Sequence, residues 1–221
     1  MNNLRTSMLL IILITGFSVS ISAKTDHVKA HRSSKKILII GLNDNIKSDY
    51  YYKELISEES GIPSDSLERV FNQTIATHLI QSSDEFSLLN DIDNYPSITN
   101  NIRVDGEKEK CSSNLSMVDS QQFKDFLEEA GADYLLILNR YYLKKQEEPF
   151  NTLFYFISYS LYNKDKKELA TDANYFTTMK VETPVLMKKA SRKASEKMAT
   201  SILKLVAQDA LNTQNNLLTN K

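Results

Sequence analysis

Two apolar patterns alternate along this chain. One is the short continuous run. Residues 37–42 (ILIIGL) and 134–142 (YLLILNRYY) are rich in branched and aromatic residues. Runs of that kind suit strands covered on both faces. The other is the helical stride. Over residues 63–81 it takes in Leu67, Val70, Phe71, Thr74, Ile75, His78 and Leu79, with Ser64 or Asp65 as cap and Glu68 closing a capping box. Over 119–130 it takes in Phe123, Phe126 and Leu127, opened by Asp119 with Gln122 and stopped by Gly131. From Thr183 and Pro184 it takes in Met187, Ala190, Ala194, Met198, Ile202 and Leu205.

Period-two patterning supplies the remaining strands. In 150–162, Leu153, Tyr155, Ile157, Tyr159 and Leu161 share one face; Phe154, Phe156, Ser158, Ser160 and Tyr162 share the other. The charged turn NKDKK (163–167) leads into a return strand at 168–178, with Leu169, Ala173 and Tyr175 as packing residues. Residues 86–90 form a weaker strand. Residues 47–62 are mixed, and the triplet Tyr50, Tyr51, Tyr52 cannot face one way, so part of it lies exposed or at a rim. Residues 91–117 are polar and broken, long for a connection without structure, and so a candidate partner-binding loop.

The order β-α-β-α-β-β-β-α predicts a mixed α/β (α+β) fold: a single five-stranded sheet with about three helices. Residues 37–42 and 134–142 should be central neighbours, and the last helix should lie on one face. The expected domain covers 35–210, after a flexible lead-in at 24–34 and before a fraying Asn-rich tail at 211–221.

Residues 1–23 change the picture. Arg5 precedes a charge-free apolar stretch at 8–19, and small residues at Ser20, Ser22 and Ala23 permit cleavage. That is the plan of a secretory signal peptide, and the run is short for a bilayer span. The mature chain then starts near Lys24 in the periplasm or outside the cell. Ile21 is bulky for a cleavage site, and an uncleaved anchor is the alternative. The whole chain has 27 basic and 28 acidic residues; losing Arg5 leaves a net charge of −2. This balance gives no drive toward nucleic acid. Cys111 is the lone cysteine, so no disulfide forms within the chain, and its polar neighbours suggest an exposed loop thiol.

Candidate chemistry is sparse. No G-x-S-x-G elbow, phosphate loop or dinucleotide-binding glycine pattern occurs, and no catalytic, cofactor-binding or metal residue is assigned. His27 and His31 have metal-compatible spacing in a segment without an apolar face. His78 lies beside an apolar stripe, as a hydrogen-bonded helix-edge histidine would. For a hydrolase it would be the base, with Asp91, Asp93, Glu128, Glu129 or Asp133 as its acid. The basic residues Lys188, Lys189, Arg192, Lys193 and Lys197 fit a solvated face. Asn72-Gln-Thr and Asn114-Leu-Ser match the glycosylation pattern of a eukaryotic secreted protein, although Asn72 falls within a helix.

The element order, with the step Ala130-Gly-Ala-Asp-Tyr-Leu-Leu136 and the closing helix, resembles the exported α/β domain of bacterial envelope proteins typified by the TolB amino-terminal domain and CsgG. It departs from them in lacking a following β-propeller and a lipid-bearing Cys. The resemblance implies an exported, non-enzymatic binding or assembly domain with an envelope protein partner. It transfers no functional residue. An exported hydrolase is the alternative. The sequence leaves the oligomeric state open, and after leader removal it contains no membrane-spanning segment.

Overall fold

The computed structural model describes residues 35–219 apart from Asp91, with side chains through Asn215. The leader, His27, His31 and Asp91 therefore lie outside the described residues. The strands are β1 (Ile37–Gly41), β2 (Ile46–Ser48), β3 (Phe86–Leu88), β4 (Arg103–Gly106), β5 (Cys111–Asn114), β6 (Tyr134–Gln146), β7 (Thr152–Asn163) and β8 (Glu168–Thr178). The α-helices are α1 (Lys53–Ser60), α2 (Leu67–Ser82), α3 (Pro96–Thr99), α4 (Ser120–Glu129) and α5 (Pro184–Thr219).

The main sheet is mixed and runs β3-β1-β6-β7-β8, with β2 also on β6. β1 lies parallel to both β3 and β6, so the two continuous apolar runs are central neighbours. β6, β7 and β8 form the antiparallel meander. The α+β class and the mixed sheet hold. Among the described residues the sheet has six strands, β4 and β5 make a separate hairpin, and there are five α-helices.

β6 is long enough to carry two short parallel strands end to end. β1 pairs along Tyr134–Leu138 and β2 along Tyr141–Leu143. Between them the register against β7 shifts, at Leu138/Arg140. The extra residue, Asn139, reverses the strand's facing pattern. Tyr134, Leu136 and Leu138 face the same core as Tyr141 and Leu143. Without a bulge, strict alternation would turn the second pair outward.

The first face of the sheet carries α2 and α5 over a large apolar core. It includes Ile39, Phe71, Leu136, Tyr141, Tyr155, Ile157, Met198 and Ile202. The second face carries α3, α4 and the hairpin over a smaller core of Leu38, Ile40, Phe123, Leu127, Leu135 and Ile137. Asp119 caps α4, its Oδ1 accepting from the N–H groups of Gln121 (2.9 Å) and Gln122 (3.0 Å). Gly131 follows with φ +61°, a conformation glycine adopts without steric cost.

Several expectations need correcting. The helix expected from residue 63 begins with a 3₁₀ turn at Ser64–Ser66, and α2 has no side-chain cap. Glu68 instead forms an ion pair with Lys53 at 2.9 Å, so the expected capping box does not form. Residues 92–117 are not a structureless loop but a 3₁₀ turn, α3 and the hairpin. Cys111 is 1% exposed on β5 and is not a loop thiol. The expected fraying tail is helical to Thr219, because extending a helix already anchored by packing costs little.

Candidate functional site

The hairpin sits on the second face by polar bonds. One edge of β5 pairs with β4. Its other edge meets side chains that rise from the sheet. Cys111 N–H donates to Ser158 Oγ (3.3 Å) and Ser113 N–H to Ser160 Oγ (3.1 Å). Asn139 Nδ2 donates to Cys111 O and to Ser160 Oγ, both at 2.9 Å. Tyr162 Oη donates to Ser113 O. A row of polar side chains thus replaces a neighbouring strand. Ser158 and Ser160 interrupt the alternating aromatic pattern of β7 for this reason. Burial pushes the Tyr162 phenol up to about 12.

Past the hairpin the second face opens toward β8: Tyr142 is buried, Phe154 and Phe156 are half-buried and Tyr175 is exposed. Tyr142, Phe156 and Tyr175 stand opposite one another on β6, β7 and β8. Phe154 stacks on Phe156 with ring centroids 6.0 Å apart, and Tyr175 lies 5.8 Å from Phe154 and 5.6 Å from Phe156. Cross-strand aromatic contacts of this kind stabilise a sheet and leave one ring face free. Tyr175 is 57% exposed, which overturns its expected core role. Its neighbour Phe176 is the buried residue, so strand alternation puts Tyr175 outside.

Charges border this patch where the hairpin turn crosses it. Lys108 pairs with Asp49 (2.6 Å) and Lys110 with Asp172 (3.2 Å). Lys108, then the Tyr142 hydroxyl, hold the Asp49 carboxyl below its usual range. Burial and Asp49 push Tyr142 up to about 12. The arrangement offers rigid aromatic area with a polar rim, which suits protein contact.

A second feature is a polar cleft of about 330 Å³ at the carboxyl ends of β1 and β3. This is where α/β sheets commonly bind ligands. Asn72 lies flat on Gly41, where an added Cβ would stand 2.0 Å from Asn72 Cγ. Asn72 Oδ1 accepts from Asn45 Nδ2 at 3.1 Å. With Asn72 7% exposed, the first glycosylation motif is closed to an enzyme. Asn114, at the end of β5, is exposed.

Among the described residues the candidate acid–base residues do not converge. His78 is buried between α2 and α5, its Nε2 2.7 Å from Lys188 O. Asp133 Oδ1 pairs with Lys35, Asp93 Oδ1 accepts from Asn43, and Glu129 Oε1 accepts from Tyr95. Glu128 is exposed on α4. Burial raises the Cys111 thiol, which suppresses the thiolate. Among the described residues no group of three His, Cys, Asp or Glu is placed to hold a metal ion, and no helix is long and apolar enough to cross a membrane. The basic residues of α5 are all exposed.

No protein-family model matches the chain. No curated protein matches it either. Among solved structures it is similar to the hypothetical protein CT253 from Chlamydia trachomatis, at 10% identity and a TM-score of 0.39, over 65% of this chain and 72% of that one.

Proposed function

We propose that the protein is an exported, non-enzymatic binding domain of the bacterial envelope that docks a protein partner on the open part of the second sheet face. The observation that carries this reading is the aromatic cluster of half-buried Phe154 and Phe156 with exposed Tyr175, held in register by β7 and β8. Aromatic rings with few rotatable bonds supply contact area at low entropic cost. The apolar leader and the resemblance in element order support the setting. His78 and Cys111, the residues a hydrolase would draw on, are occupied or buried.

The test is site-specific photo-crosslinking in cells. A photoreactive phenylalanine replaces Tyr175 in one strain and Gln208, exposed on α5, in another. The expected result is a discrete adduct with an envelope protein from position 175 and none from 208, lost when Phe156→Ser is added. Equal adducts at both positions, or none at 175, would overturn docking at this face. An intact, leader-bearing chain in the cytosolic fraction would overturn export.

A further inference from the structure

The backbone edge of β8 carries an inference that goes beyond the aromatic face and does not depend on it. β8 is eleven residues long and terminates the sheet. One edge is bonded to β7; among the described residues no strand pairs with the other. An edge of this length is a template for another strand unless something blunts it. Proteins blunt edges with lysine, proline, bulges or brevity. The opposite edge strand, β3, uses brevity, at three residues. From Ala170 to Thr178 β8 carries one charge, Asp172, which Lys110 pairs at 3.2 Å, and otherwise none of these devices. It contains no Lys, Arg or Pro, and its only register shift against β7 lies beyond, near Glu168.

We infer that β8 pairs antiparallel with β8 of a second copy, joining two six-stranded sheets into one of twelve strands. The charge pattern fits this occupant and admits a register centred on Ala173. With the two-fold axis at Ala173, Asp172 faces Asn174 of the second copy and Glu168 faces Thr178 of the second copy. No like charges oppose. Moving the axis one residue toward the start of β8 sets Asp172 against itself; moving it one residue the other way sets Asp172 against Phe176. Lys110 already pairs with Asp172 at 3.2 Å, which leaves the middle of the edge neutral. The two-fold axis stands perpendicular to the sheet, so both second faces end up on the same side. Tyr175 then faces Thr171 of the second copy, and the two aromatic clusters flank the seam. Such a pairing is isologous and closed, so it stops at two copies.

A charge swap on the axis tests this. Ala173 is half-buried on the hairpin side of the strand, opposite Ser158. Ala173→Lys and Ala173→Glu each set like charges against one another across the axis. The leader-processed full chain is studied by sedimentation equilibrium, with circular dichroism confirming that each variant stays folded. The expected result is a dimer for the parent chain, association about fivefold weaker for each variant alone, and a mixed Lys–Glu dimer at least as tight as the parent. A parent chain that is monomeric to 100 µM, on the order of a weak-interface Kd, would overturn the pairing. So would a dimer indifferent to both substitutions. Variants that misfold leave the parent's own state as the deciding measurement, with Asn174→Asp as a second probe: it opposes Asp172 of the second copy and must weaken the dimer. The photo-adduct at position 175 reports on the envelope partner whether or not the chain dimerises.

Discussion

On one side of the sheet, α2 and α5 bury leucine, isoleucine, methionine and aromatic side chains against β1, β6 and β7. On the other, a hairpin of mostly polar residues is held by serine, asparagine and tyrosine side chains, and the area beyond it is open. Apolar burial is non-directional and sums over a large area. Hydrogen bonds to the sheet are directional, modest in net worth and costly when one partner is lost. The first face thus carries the larger apolar core, while polar bonds on the second, beside its smaller core, set the position of the hairpin.

The largest test of that contrast is Met198→Ala. Met198 is fully buried beneath the first face, and its truncation leaves a cavity. The expected loss is about 2–5 kcal/mol in denaturant unfolding. All amides that exchange by global unfolding should shift together. Ser160→Ala comes next. It removes the acceptor of both Ser113 N–H and Asn139 Nδ2, at an expected cost of about 1–3 kcal/mol. Its effect should be local: faster amide exchange at Cys111 and Ser113, and faster thiol-reagent modification of Cys111, before α2 responds. Uniform acceleration in both variants would erase the distinction between the faces.

Tyr141→Phe runs the other way. Tyr141 is buried on the first face and its hydroxyl has no hydrogen-bond partner among the described residues. Removing it should stabilise the protein by about 1 kcal/mol, measured by the same unfolding curves. The smallest effect is on pH dependence. Tyr162 titrates near 12 in the fold against about 10 when unfolded, chiefly because of burial. A raised phenol favours the protonated fold, so its contribution is complete below pH 10 and is lost as pH climbs to 12. Tyr162→Phe should flatten the stability curve in that window.

The same contrast decided what the sequence made legible. The first face follows from patterning: the alternating β7 residues Leu153 to Leu161 and the α5 stripe from Met187 to Ile202 are where periodicity puts them. α4 and its Asp119 cap were equally readable, because the cap is local. The hairpin was not. Its strands carry little apolar signal, and its bonding partners lie in β6 and β7, far along the chain. The trace it left was Ser158 and Ser160 at buried positions of an otherwise apolar strand. β2 was hidden because three residues pair only where β6 outlasts β1. α1 was hidden by its acidic, weakly amphipathic sequence. The aromatic patch was half visible: Phe154 and Phe156 were set apart from the core face, but Tyr175 was placed in it.

The single surplus residue in β6 has an evolutionary corollary. Asn139 acts as a phase corrector: ahead of it the inward positions are even-numbered, behind it odd-numbered. Losing that one residue would close the bulge and leave Tyr141 and Leu143 facing inward by plain alternation, whereas gaining one more residue without a second bulge would carry Tyr142 and Lys144 under the helices and expel Tyr141 and Leu143. Insertions should therefore accumulate in the turns at 147–151 and 163–167 and be purged from the interior of β6, where the loss of the surplus residue is the one length change that keeps the inward set.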